Sequence, residues 1–196
     1  MIPTGYKAVI YDLDGTLYDK LGFKRRLVLR DLKHINLMLA ERKVRKSMAG
    51  QYLPGAVAKT LFSGISKITR TPVKKVERWF YGKYMRDMVA ILSESYGARQ
   101  YLVDEIHILR ERGVKLAVFS DYSAVSKKLG AIGIDPSWFD VVTDAPSEGG
   151  LKPCREAFLN VAFKLGVDPS QILVTGDRQD TDGDGALAAG MSFRLV

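Results

Sequence analysis

Ala8-Val9-Ile10-Tyr11 is a short apolar run of strand formers, yet the next run of that kind begins only at Val114. Between them the pattern is helical and no strand signal appears. Residues 21–48 carry Leu27, Leu32, Ile35 and Leu39 on an apolar side and predict one long helix. A second, weaker helix is expected over 56–68 after Pro54-Gly55. Thr71-Pro72 reads as the N-cap and first turn of a third helix running to about Ser95, with Gly97 ending it. Beyond residue 100 the pattern alternates. A helix over Leu102–Glu111 leads to a strand over Val114–Phe119, and Ser123 caps a helix to about Ile132. A short strand follows over Phe139–Thr143, then a helix opened by Pro153 and closed by Gly166. A strand over Ile172–Thr175, a helix over Gly185–Ala189 and a last strand over Ser192–Val196 complete the chain. Strands alternating with helices predict a parallel sheet covered on both faces, an α/β Rossmann-like core. The core is interrupted just after its first strand by an all-helical insert. The predicted boundaries are 1–17 and 100–196 for the core and 18–99 for the insert.

Charge divides the chain in the same place. The formal net charge is +8, but from Lys20 to Arg99 there are 19 Lys or Arg against five acids, a net of +14 that leaves −6 elsewhere. A basic unit suits an anionic partner such as a phosphate or a nucleic acid. The aromatics Trp79, Phe80, Tyr81 and Tyr84 sit at spacings that a helix core also produces, so the nucleic-acid reading is the weaker one. No run approaches the ~20 apolar residues of a membrane span. The single Cys154 excludes a disulfide framework and a cysteine zinc site, and reads as a helix-start thiol in a reducing cytoplasm. The N-terminus leads straight into the first strand, so no signal peptide is expected.

The strand ends carry the chemistry. The first strand ends in Asp12, with Asp14 in the turn beyond and Gly15 at the sharp exit; the second ends in Ser120-Asp121 and the fourth in Gly176-Asp177. Lys152 lies in "EGGLKP", ahead of the helix that precedes the fourth strand. In a parallel sheet these ends meet at one edge, so distant segments bring acids, a hydroxyl and an amine together. A carboxylate approaches a phosphate dianion only when cations screen the repulsion, and Mg2+ prefers oxygen ligands. Two close carboxylates can divide into nucleophile and proton carrier when their surroundings set their pKa values apart.

Four segments in order, "DLDGT" at 12–16, "FSD" at 119–121, "LKP" at 151–153 and "GDRQDTDGDGA" at 176–186, resemble the motifs of the haloacid dehalogenase superfamily. The insert resembles the helical cap of that family's first cap class. The resemblance implies a Mg2+-dependent phosphatase acting on a small phosphorylated metabolite through an aspartyl-phosphate. It makes Asp12 the nucleophile and Asp14 the general acid and then base. It has Ser120 and Lys152 bind the phosphate, with Asp121 beside them. It places Mg2+ on Asp12, Asp177, Asp182 and the carbonyl of Asp14. Other activities of the superfamily, phosphotransfer or mutase chemistry and dehalogenation, are the alternatives. The family's dehalogenases use one Asp and no metal, so a second acid at Asp14 points to phosphate. Arg178 stands where the family often has a small residue, and Asp121 where it often has Asn. Asp182 is preferred over Asp180 and Asp184 as the second acid of the last motif. Tyr18, Lys24, Arg25 and Tyr52 are the residues expected to choose the leaving group.

"DTDGDG" at 180–185 imitates a calcium loop, but Met191 stands where its bidentate Glu is needed. His34 and His107 fall in predicted helices without nearby ligands and are read as non-catalytic.

Overall fold

A computed structural model describes residues 4–196. The expectation that no leader precedes the first strand falls partly on residues 1–3, outside that range. Five strands, β1 (Ala8–Tyr11), β2 (Lys115–Ser120), β3 (Val141–Asp144), β4 (Ile172–Gly176) and β5 (Ser192–Leu195), form one sheet in the order β3-β2-β1-β4-β5. Every neighbouring pair is parallel. β1 is central and all four of its residues are fully buried, so its sequence runs apolar without alternating. The parallel register brings the ends of β1, β2 and β4 to one edge. Tyr11 lies opposite Val118 and Thr175, one step short of Asp12 and two short of Ser120 and Asp177.

Between β1 and β2 the chain forms α1 (Phe23–Arg30), α2 (Ile35–Met48), α3 (Val57–Thr69), α4 (Val73–Trp79), α5 (Met85–Ser95) and α6 (Gln100–Glu111). α7 (Val125–Ala131) joins β2 to β3, α8 (Arg155–Leu165) precedes β4, and α9 (Asp184–Ala188) precedes β5. The long helix expected over 21–48 is broken at Asp31, whose φ of −139° leaves the helical region. The buried Asp31 carboxylate accepts from Trp79 Nε1 at 2.8 Å and pairs with His34 Nδ1 at 2.6 Å. A buried charge that finds partners off the helix outweighs continuation of the ladder.

The third predicted helix is likewise divided, by a π-helical turn at Phe80–Tyr84 that stacks Tyr84 on Trp79 with ring centroids 4.9 Å apart. Its N-terminus lies at Pro72 without a side-chain cap from Thr71. α7 starts after Ala124, which takes a left-handed φ of 61°, so Ser123 is not its cap.

The helical segment is tied to the loop before α8 by backbone bonds. Gly50 N donates to Leu151 O at 3.1 Å and Leu53 N to Gly149 O at 2.6 Å. A Cβ on Gly149, whose φ is +89°, would come within 2.8 Å of the Tyr52 ring, so glycine lets this crossing close.

One buried charge fastens the edge strand β5 to the central β1. Glu105 of α6 accepts from Tyr11 OH at 2.6 Å and from both Nη atoms of Arg194 at 2.8 and 2.6 Å. Arg194 Nη2 also donates to Thr175 Oγ1 at 3.0 Å. Glu105→Ala should therefore lower the unfolding free energy by about 3 kcal/mol, because it strands a guanidinium inside the fold. Tyr11→Phe, which leaves the ion pair intact, should cost about 1 kcal/mol. Urea unfolding of both variants checks this; equal losses would mean that the ion pair contributes nothing beyond the tyrosine bond.

Candidate active site

The turn after β1 supplies its own positioning groups at helical spacing. Thr16 Oγ1 donates to Asp12 Oδ2 at 2.9 Å, and four residues after Asp14 the Tyr18 hydroxyl donates to Asp14 Oδ1 at 2.8 Å. Leu13 and Leu17 are fully buried and anchor this turn to the core. The two acids thereby enter different surroundings.

Asp12 faces Lys152. The Lys152 ammonium donates to Asp12 Oδ1 at 2.8 Å and to Asp182 Oδ1 at 2.7 Å, and its side chain is 2% exposed. Burial works against the lysine's charge, but Asp12, Asp182 and Asp121 outweigh it and push its pKa above the ordinary lysine range. Burial pushes Asp182 up to about 7, with Asp12 adding to the rise against the pull of Lys152. Asp121 is also raised by burial, although its Oδ1 accepts from Lys152 N at 2.9 Å.

Asp14 faces Ser120. The Ser120 hydroxyl at the end of β2 donates to Asp14 Oδ2 at 2.9 Å. The ammonium of Lys128, from α7, pairs with the same oxygen and lies 3.4 Å from Ser120 Oγ. Burial would raise Asp14, but Lys128, Tyr18 and Ser120 together hold it below the usual carboxylate range. Lys128 is 1% exposed and was not foreseen as a site residue. Its signal lay in spacing: Val125, Lys128, Leu129 and Ile132 share one face, and a lysine on an apolar face needs a buried partner.

Asp177 and Lys20 complete the group. Asp12, Asp177 and Asp182 place carboxylate oxygens within 4.8 Å of one another. Among the acids of the last motif, Asp182 is buried with this set. Asp180 instead binds Arg178 at the surface, and Asp184 accepts from Gln179 Nε2 at 3.1 Å. The Lys20 ammonium pairs with Asp177 Oδ2 and donates to the carbonyl of Asp14 at 3.2 Å.

The charges fit a divalent cation. Asp12, Asp14, Asp121, Asp177 and Asp182 stand against Lys20, Lys128 and Lys152, while Glu41 and Arg45 neutralise each other at 2.6 Å. Fully ionised, the cluster keeps a surplus of two negative charges beside an all-oxygen donor set, as hard cations require. That Asp177 and the Asp14 carbonyl already hold an ammonium shows that a cation is accommodated there.

The leaving-group candidates separate. Tyr18 is 1% exposed and its hydroxyl is committed to Asp14, so it positions that acid instead of meeting a leaving group. Lys24 on α1 is exposed; burial and the neighbouring cations Arg42, Lys20 and Arg178 lower its pKa. Arg25 lines a shallow cavity of about 320 Å³ with Leu21, Gly22, Arg26 and Leu29, none of which is a site acid. Tyr52 packs on Gly149, in the loop leading to Lys152. Arg45 of α2 was also unforeseen. It donates to the Asp121 carbonyl at 2.9 Å and lies 4.2 Å over the Tyr122 ring.

Lys128→Met tests the pairing at Asp14. In the parent, Asp14's depressed pKa adds stability that is present above the unfolded value of ~4 and is lost as pH falls through the lower folded value. In the variant, burial acts without the counter-ion, so the carboxylate becomes a liability at neutral pH that protonation relieves. The variant should be less stable by about 3 kcal/mol at neutral pH. The gap in urea midpoints should narrow toward pH 4. A gap unchanged with pH would mean that Lys128 acts through packing alone.

The family profile of haloacid dehalogenase-like hydrolases matches residues 6–190. The phosphoglycolate phosphatase of Aquifex aeolicus is 26% identical over 195 residues, covering 97% of this chain and 84% of that protein. The glyceraldehyde 3-phosphate phosphatase of Methanothermobacter thermautotrophicus is 26% identical over 199 residues, covering 97% and 85%. In fold, the chain matches CbbY from Rhodobacter sphaeroides in complex with phosphate, with a TM-score of 0.69 at 20% identity over 96% of this chain and 84% of that one. With the profile spanning nearly the whole chain, and a parallel sheet whose strand ends gather the four motifs, the protein belongs to the haloacid dehalogenase-like hydrolases.

Proposed function

We propose that the protein is a Mg2+-dependent phosphatase that hydrolyses a small phosphorylated metabolite through an aspartyl-phosphate on Asp12. The observation that carries this reading is the split between two neighbouring carboxylates, Asp12 on the Lys152 ammonium and Asp14 on two hydroxyls and Lys128. Residues 18–99 are read as the cap over this site.

Asp12 attacks phosphorus, the bond from phosphorus to the ester oxygen breaks, and Asp14 hands its proton to the departing alkoxide. Water then attacks the aspartyl-phosphate and gives a proton to Asp14, which frees phosphate and restores Asp12. Ser120 and Lys152 hold the phosphate oxygens. Lys128 keeps the resting Asp14 ionised; a substrate entering as its phosphate monoanion draws on the Lys128 charge and gives Asp14 the proton that it then passes to the leaving alkoxide. Asp12, Asp177, Asp182 and the Asp14 carbonyl would hold Mg2+, which supplies charge screening between nucleophile and phosphate.

Lys24, Arg42 and Arg178 beside Lys20 favour a leaving group that carries its own anion. The relatives named for phosphoglycolate make 2-phosphoglycolate the first compound to try. Trp79, Phe80 and Tyr84 are buried in the helical segment and Tyr81 alone of the four is exposed, which is no stacking platform for successive bases.

A panel of 2-phosphoglycolate, glyceraldehyde 3-phosphate and p-nitrophenyl phosphate, each with Mg2+ and with EDTA, tests the reading. Turnover of at least one should require Mg2+, and Asp12→Asn should abolish it while the chain still folds and unfolds cooperatively. Ordinary turnover in Asp12→Asn would remove Asp12 as nucleophile.

Asp14→Asn should slow alkyl phosphates by ~10²–10⁴-fold, the usual contribution of general acid catalysis. With p-nitrophenyl phosphate it should give a burst of nitrophenolate near one per site, then slow turnover. Equal slowing of the first step for both leaving groups would make Asp14 a metal or structural residue.

A further inference from the structure

We infer that Lys20 is a tethered cation that competes with the divalent metal for Asp177 and the Asp14 carbonyl, and so sets how tightly the protein binds Mg2+. The inference rests on the Mg2+-dependent reading above. The Lys20 ammonium touches Asp177 Oδ2 and, at 3.2 Å, the carbonyl oxygen of Asp14. These are two of the oxygens that the reading assigns to the metal, and they come from segments 163 positions apart in the sequence that the lysine joins as a counter-charge. The contact is built into the backbone. Gly15 has a φ of +111°, and a Cβ there would lie 2.5 Å from Asp177 Oδ2 and 2.6 Å from Lys20 Nζ. Only a residue without a side chain leaves room for this pair to meet.

Lys20 differs from the other two lysines of the cluster. Lys128 and Lys152 are sealed, with side chains 1% and 2% exposed, whereas that of Lys20 is 41% exposed and has solvent to move into. An ammonium and a metal ion cannot share the same oxygens. Metal entry therefore has to break two charge-assisted contacts and leave a positive charge nearby, and both effects weaken binding. The released ammonium stays close to Lys24, Arg42 and Arg178, where it adds to a positive mouth.

Titration calorimetry with Mg2+ alone, at fixed ionic strength and without substrate, reads this directly. Lys20→Met should bind Mg2+ about tenfold more tightly than the parent, the worth of a charged contact at its lower limit. Lys20→Arg, which keeps the charge, should stay near the parent value. The Mg2+-induced rise in melting temperature should follow the same order, and circular dichroism checks that the variants are folded. A gain of affinity is not something a merely structural lysine would produce on removal. Equal or weaker binding by Lys20→Met, with the parent binding normally, overturns the inference and leaves the Mg2+ reading standing. Equal tightening in Lys20→Arg overturns charge as the cause. Absence of binding in both parent and Lys20→Met overturns the inference together with the Mg2+-dependent reading.

Discussion

The site is organised around the buried ammonium of Lys152. Asp12 and Asp182 could not both be ionised in the interior without a cation between them, and Lys152 reaches both within 2.8 Å. Its backbone N–H also holds Asp121, so a single residue fixes acids from the ends of β1 and β2 and from the turn after β4. Those three segments meet only because the sheet is parallel throughout and β1 lies at its centre. The position of Lys152 depends in turn on a loop whose backbone is bonded to the helical segment.

A second economy lies in the turn from Asp12 to Tyr18. Each acid has a hydroxyl donor four residues ahead, Thr16 for Asp12 and Tyr18 for Asp14, while Leu13 and Leu17 point into the core. Seven residues thus carry both carboxylates and one fixed partner for each. What separates the two acids chemically is not this turn but the distant cations, Lys152 on one side and Lys128 on the other. Environment, more than sequence neighbourhood, gives like groups different roles.

This also explains what could be read from the sequence. The strands and the residues at their ends were legible because an apolar run followed by an acid is a local signal, whereas Asp182 was singled out only by the family's motif spacing. Lys128 was not, since its partners Asp14 and Ser120 lie 114 and 8 positions away and only an odd lysine on an apolar face hinted at them. Glu41 and Arg45 fall on the buried face of α2 with Leu37, Met38, Val44 and Met48 in the same manner. The break at Asp31 escaped for a related reason, because Trp79 supplies its partner from 48 positions away. Tyr18 was given to the substrate, since spacing alone does not show that its hydroxyl turns inward to Asp14.

The insert and the site share loads at two points. Arg45 grips the Asp121 carbonyl and covers the Tyr122 ring, and Lys128, which holds Asp14, lies 5.6 Å from the centre of that same ring. At the other point, residues 49–53 are bonded to residues 149–151, immediately before Lys152. Asp121 and Tyr122 directly follow Ser120 at the end of β2 and the loop before α8 carries Lys152, so the two contacts of the insert fall beside residues that hold Asp14 and Asp12. A displacement of α2 would have to strain the loop that follows Ser120 and the Lys152 loop together, because tightly packed elements pass strain on instead of absorbing it. Whatever seats the helical segment therefore also sets the spacing between Ser120 and Lys152, and with it the spacing between the partners of Asp14 and Asp12.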